Sequence, residues 1–278
     1  MTPSSALPVI DLRDRVALVT GGANGLGEGS ALALARAGAR IAIADKDAAA
    51  GERTAAAIRA AGGEALFLPI DLMDGAAIAP MVNAAADHFG RLDILVNNVG
   101  GGRRVRFLDQ SPGSIERHIN LNLLSALYCT QAAVPHIVTG GRGGAIINVA
   151  STEALRAAPG FAVYAACKAG LVSFTKTMAL ELAGHNIRSH ALAPDMIETE
   201  GLKGLMEAAT EAERDARDRY VPLGRMGTVA EFGNIVAFLA SDLASYLNGL
   251  TVPVDAGATA AAGWYRNPRG EWCLYDGD

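Results

Sequence analysis

The sequence predicts one α/β domain: a doubly wound parallel sheet of about seven strands with helices on both faces. Short runs of β-branched and apolar residues alternate with longer alanine-rich amphipathic runs. The short runs are apolar throughout rather than apolar at every second residue, as strands buried on both faces require. No linker-like Pro/Ser/Gly stretch and no fixed-period repeat divides residues 1–278, which points to a single domain. Parallel neighbours need crossover connections, and those are nearly always right-handed.

The elements follow in order. "RVALVT" (15–20) reads as a buried strand and Leu26–Ala37 as the helix after it. "RIAIAD" (40–45) and "EALFLPID" (64–71) are the next strands, followed by helices over Ala48–Ala61 and Ala76–Phe89. "LDILVNN" (92–98) is the fourth strand, and one long helix is expected over Ser114–Val138. "GAIINVAS" (144–151) precedes a helix over Tyr164–Leu182, and "IRSHALAP" (187–194) is the sixth strand. The charged stretch from Thr199 to Arg219 breaks the alternation, so residues 199–225 are expected to form a mobile lid. A helix over Val229–Leu239 and the strand "LTVPVD" (250–255) close the core.

A net charge of −5 carries no footprint of nucleic-acid or anionic-membrane binding. No apolar run approaches the roughly 18 residues of a membrane span, and "MTPSSALPVIDLRDR" lacks the pattern of a signal peptide. Three cysteines without CxxC spacing read as free thiols in a reducing, cytoplasmic setting. Five dispersed histidines supply no metal-ligand spacing, so no catalytic metal is expected.

"VTGGANGLGEG" joins the first strand to its helix with a TGxxxGxG spacing. Gly21, Gly25 and Gly27, with Asn24 and Leu26 between them, suit a tight turn that brings backbone close to a pyrophosphate at a helix N-terminus. The absence of a Gly-Lys-Ser/Thr run excludes an ATP-type phosphate loop. Asp45 ends the second strand, where a carboxylate accepts from ribose hydroxyls and repels a 2′-phosphate; this favours NAD over NADP, with Lys46 moderating the repulsion. A helix cap is the plain alternative for Asp45. Asp71 and Leu72, after the third strand, stand where an adenine would lie.

"VYAACKAG" (163–170) sets Tyr164 and Lys168 at i, i+4, one turn apart on one helical face. Such a pair is often simple packing. Together with "TGGANGLG", "NNVG" (97–100), Asn122 and Ser151, however, "YAACK" resembles the short-chain dehydrogenase/reductase family over about residues 12–258. The resemblance implies a Rossmann-like fold, a nicotinamide cofactor, hydride transfer at a carbonyl or secondary alcohol, and catalytic roles for Asn122, Ser151, Tyr164 and Lys168. It further implies cofactor contacts at Asn98, Gly100, Tyr164, Lys168, Pro194, Ile197 and Thr199, a brace at Asn97, and a homotetramer. A free tyrosine, with a pKa of about 10, is a poor base at neutral pH. A neighbouring ammonium favours the phenolate. Lys168 is therefore expected to lower the pKa of Tyr164, Ser151 to bind the substrate oxygen, and Asn122 to hold a water behind Lys168. Cys167 falls off this face and reads as core.

Two departures from the family pattern stand out. Val99 replaces a common alanine, and Asp195 replaces the glycine of a Pro-Gly pair after the sixth strand. The predicted function is interconversion of a secondary alcohol and a ketone with NAD. The alternatives are a 3-oxoacyl-thioester reductase and a non-catalytic nucleotide-binding regulator. Leu202, Leu205 and Met206 are candidates for an apolar substrate wall, and Arg103, Arg104 and Arg106 read as a surface loop or an anion contact. Both tryptophans fall in the tail, residues 263–278, which is expected to pack against a neighbouring subunit or a substrate cleft.

Overall fold

The computed structural model describes residues 9–275, with the backbone alone for residues 203–206. The leader segment before residue 9, the last three tail residues and the side chains of Leu205 and Met206 lie outside the described residues.

The central sheet has seven strands in the order β3-β2-β1-β4-β5-β6-β9, all paired in parallel. They are β1 (Val16–Thr20), β2 (Arg40–Asp45), β3 (Ala65–Pro69), β4 (Ile94–Asn97), β5 (Gly144–Val149), β6 (Ile187–Pro194) and β9 (Thr251–Val254). The crossovers are α1 (Gly25–Arg36), α2 (Ala48–Ala60), α3 (Gly75–Phe89), α4 (Pro112–Ile119) with α5 (Ser125–Gly140), and α6 (Ala162–Glu181). A minor pair, β7 (Ile197–Glu198) with β8 (Gly227–Thr228), brackets the helices α7 (Glu200–Ala208) and α8 (Glu211–Tyr220). Helix α9 (Val229–Ala240) leads back to β9, and α10 (Ala258–Ala261) opens the tail.

Strand alternation divides the core in two. Ala17 and Val19 of β1 join Leu34, Phe232 and Val236 on one face. Val16 and Leu18 join Val82, Ala85 and Ile137 on the other. Helices α1 and α9 meet backbone to backbone, since a Cβ on Gly29 would stand 2.3 Å from the Val229 carbonyl oxygen.

The long helix expected over Ser114–Val138 is in fact interrupted. A π turn at Asn120–Leu124 separates α4 from α5 and carries Asn122 inward. One widened turn shifts the apolar phase by about a residue, a small signal in a run this rich in apolar residues. The stretch expected as a lid holds two helices, α7 and α8, and α8 starts with a Thr210/Glu213 capping box. The tail folds as a hairpin of β10 (Tyr265–Arg266) and β11 (Trp272–Cys273), with Arg266 stacked on Trp272 and Cys273 buried. Its first strand packs on α8 of the same chain.

Candidate active site

Strand order reverses between β1 and β4, which opens a crevice at the carboxyl ends of the strands. A cleft of about 420 Å³ lies there. Its wall includes Gly21, Asn24, Gly25, Leu26, Asp45, Asp71, Leu72, Asn98, Gly100, Tyr164, Lys168, Pro194 and Thr199. Sequence reasoning thus assembled one continuous surface from seven separate segments.

At one end the wall is backbone. Gly21 has φ +63°, in the left-handed region that glycine enters without strain. Asn24 is extended and makes no side-chain cap, so the first N–H groups of α1 are left to face the cleft. Gly27, predicted to bind cofactor, is not on the wall. It lets the helix touch the loop, because a Cβ there would fall 2.0 Å from the Gly21 carbonyl oxygen. Asn98 donates through Nδ2 to the Thr20 and Gly21 carbonyls at 3.1 and 3.0 Å, stapling the loop to β4. The Asp45 carboxylate accepts from Ala23 N–H at 3.1 Å and Asp47 N–H at 3.0 Å, one oxygen each. Each oxygen keeps a second lone pair for a hydroxyl in the cleft.

At the other end the wall is made of side chains. Tyr164 and Lys168 stand one turn apart on α6, with Nζ 5.8 Å from the ring centroid. Lys168 is buried and donates to the Val149 carbonyl at 2.7 Å. Burial pulls its pKa down to about 8, and the nearby Cys167 works weakly the other way. The Tyr164 phenol is raised above its ordinary value, chiefly by burial; a hydrogen bond with Ser151 opposes this and the Glu153 charge adds to it. The expected lowering by Lys168 is therefore not what dominates in the protein alone, because loss of water around the phenol outweighs it.

Ser151 follows β5, is buried, and caps the short turn at Thr152–Ala154 by accepting from Glu153 N–H at 3.2 Å. Asn122 is also buried. Its Oδ1 accepts from Gly101 N–H at 2.8 Å, and its Nδ2 donates to the Gly101 and His118 carbonyls, each at 3.0 Å. Its side chain ties the loop after β4 to the π turn. Gly100 is constrained by the same packing, since a Cβ would lie 2.7 Å from Lys168 Nζ. Asn97 braces the sheet as expected, donating to Thr130 Oγ1 at 3.0 Å and Asn148 Oδ1 at 2.8 Å. Cys167 is buried, in keeping with a core role.

Ile197 and Asp195, after the sixth strand, direct their side chains elsewhere. The Ile197 side chain is buried in the apolar core, leaving only its backbone for a cofactor contact. Asp195 does not line the cleft; it pairs with Arg156 at 2.9 Å. Sequence reasoning overlooked Arg156, and also Val149, whose carbonyl anchors Lys168; no local motif marks either.

Residues 21–259 match the sequence model of a family described as enoyl-(acyl carrier protein) reductase. The chain belongs to the short-chain dehydrogenase/reductase family. It is 33% identical to meso-2,3-butanediol dehydrogenase of Serratia marcescens over 250 residues, 90% of this chain and 96% of that one. It is 35% identical to a 3-oxoacyl-(acyl-carrier-protein) reductase of Thermotoga maritima, over 88% of this chain and 98% of that one. A solved structure of 7α-hydroxysteroid dehydrogenase, complexed with NADH and a 7-oxo bile acid, superposes with a TM-score of 0.83 at 30% identity, covering 89% of this chain and 95% of that one.

This short-chain dehydrogenase/reductase is thus an oxidoreductase of a family that binds nicotinamide cofactors. Its cleft has what such a group needs: open helix N–H groups, a loop whose glycines leave no Cβ in the way, and a carboxylate with free lone pairs. No helix among the described residues is long and apolar enough to cross a membrane.

Proposed function

We propose that the protein interconverts a secondary alcohol and a ketone with NAD, with Tyr164 as general acid and base. One observation carries the reading: a phenol and an ammonium one helical turn apart on the wall of the glycine-loop cleft. The nicotinamide, when bound, takes up or returns the hydride of the carbinol carbon. The protein must then handle the proton. In oxidation Tyr164 Oη accepts the hydroxyl proton, and in reduction it donates one. Lys168, held in place through the Val149 carbonyl, stands beside the phenol and favours the phenolate while it keeps its proton. Ser151, bonded to the phenol, is placed to donate to the substrate oxygen as charge develops there. Because burial raises the phenol, the rate of alcohol oxidation is expected to climb with pH as the phenolate fraction grows.

Asp45 supports NAD, since a 2′-phosphate would face its charge. The reading includes a cytoplasmic homotetramer. A screen of secondary alcohols with NAD and with NADP, followed by the absorbance of the reduced cofactor, tests it. Tyr164→Phe should lower kcat by about 10²–10⁴-fold and leave NAD binding intact. A wild-type protein that binds NAD but turns over no alcohol or ketone would favour a regulatory role. The Thermotoga relative supplies a second reading, reduction of a 3-oxoacyl thioester. Activity on such a thioester with NADPH alone would establish that reading instead.

A further inference from the structure

Asp195, the residue that departs from the family pattern, is tied into a cluster outside the cleft wall. Arg156, on the loop between Ser151 and α6, donates through Nη2 to Asp195 Oδ2 at 2.9 Å. The same nitrogen lies 3.5 Å from Glu153 Oε1. Its Nη1 donates to the Tyr220 hydroxyl, and the guanidinium lies 5.7 Å from that ring's centroid. Three segments therefore meet on one side chain. Glu153 is two residues past Ser151. Asp195 precedes Met196, a non-glycine residue at φ +39° whose carbonyl accepts from Gly227 N–H at 3.0 Å and so sets β7 against β8. Tyr220 is the last residue of α8, in the stretch expected as a lid.

We propose that Arg156 is a positioning residue for the reaction at Tyr164: it fastens the end of the lid to the Ser151 loop and the Asp195–Met196 turn, and it pairs with the Glu153 carboxylate two residues past Ser151. The inference rests on the catalytic reading above. A guanidinium suits this task because its planar donors reach several acceptors at once, which an ammonium cannot do in the same geometry. The left-handed Met196 costs free energy that its surroundings must offset, and the Asp195–Arg156 pair holds the residue next to it.

The groups around the phenol are few. Lys168 comes from α6, and Ser151 and Glu153 come from the loop after β5. The segment at Gly102 packs on the ring with backbone, and His118 lies a step further out, against Asn122. Of these, Glu153 brings the negative charge, and Arg156 is its partner.

The test uses the full chain with NAD and an alcohol found by the screen. Arg156→Gln should move the alkaline rise of kcat/KM for oxidation to higher pH by about half a unit, because an unpaired carboxylate disfavours the phenolate. Glu153→Gln should move it down, and the double variant should return it toward wild type. Trypsin cleavage within 211–220, followed by mass spectrometry without substrate, should be about tenfold faster in Arg156→Gln as the lid end is released. Tyr220→Phe, which keeps the ring and hence the fold, should speed cleavage without moving the pH profile. Unchanged cleavage in both Arg156→Gln and Tyr220→Phe overturns the fastening. An unmoved pH profile, or a double variant that stays shifted, overturns the electrostatic role. If the wild type turns over no substrate, the catalytic reading fails, and the cleavage rates still decide whether Arg156 holds the lid.

Discussion

At the β1–α1 end of the cleft the wall is backbone: Gly21, Gly25 and open helix N–H groups, backed by Gly27 with no room for a Cβ. At the β5–α6 end it is side chain: a half-buried Tyr164 beside a buried Lys168, with Ser151 bonded to the phenol. The two ends fail in different ways. Backbone recognition has no ionisable part and ignores pH, but an added carbon atom disrupts it. The tyrosine end depends in addition on which groups carry protons.

The largest effect should come from the tyrosine end. Lys168→Met keeps length and volume while removing the ammonium, and should lower kcat by about 10²–10⁴-fold. Stability should move the opposite way. Burial lowers the lysine pKa to about 8, so charging it in the fold is unfavourable. Its folded pKa lies below the unfolded value. That cost is therefore absent above the unfolded pKa, grows as pH falls, and is complete below about 8. The variant, measured without cofactor, should melt about 2–4 °C above wild type at pH 7. The gap should narrow as pH rises beyond 8. A variant that melts lower at pH 7 would show that the bond to the Val149 carbonyl outweighs the buried charge.

The glycine end should respond to shape alone. In Gly27→Ala the new carbon would lie 2.0 Å from the Gly21 carbonyl oxygen and 2.6 Å from Asn98 Nδ2. Neither backbone nor a bonded amide yields easily, so α1 must shift from the loop at a cost of about 1–3 kcal/mol. Cofactor affinity by calorimetry should fall about 10–100-fold, equally at pH 6 and pH 9. Gly113→Ala is the control, since a Cβ there meets nothing within 4 Å. It should bind as wild type does.

What the sequence revealed divides along the same line. Strands and crossover helices were legible because burial on both faces writes itself as unbroken apolar runs such as Val16–Thr20. The glycines were legible because few other residues serve a tight turn, and Tyr164 and Lys168 because one helical turn has a fixed spacing. Asn122 was singled out, but its bonds to Gly101 and His118 were not, because they depend on how the loop after β4 packs on the π turn. Arg156 was missed because two of its three partners lie 39 and 64 positions away, and no local pattern predicts which distant loops will meet. The phenol's raised pKa was missed for a related reason. Neighbours along a helix can be counted, whereas the loss of water around a side chain depends on everything packed over it.

Asp45 belongs to both kinds of wall, and its variant should show the smallest effect. The carboxylate braces the loop through Ala23 and Asp47 and also presents charge to the cleft. Asp45→Asn separates the two roles. The amide oxygen can keep one of the backbone bonds, while its NH₂ group sets a donor against the other. A modest loss of stability, about 1–3 kcal/mol, follows from the backbone N–H left unpaired. The ratio of kcat/KM for NAD to that for NADP should fall about tenfold, because the repulsion of a 2′-phosphate is gone while a ribose hydroxyl still has one acceptor. Equal losses with both cofactors and an unchanged ratio would mean that Asp45 acts only on the loop. Cofactor choice would then lie with Lys46, the neighbouring cation on the same wall.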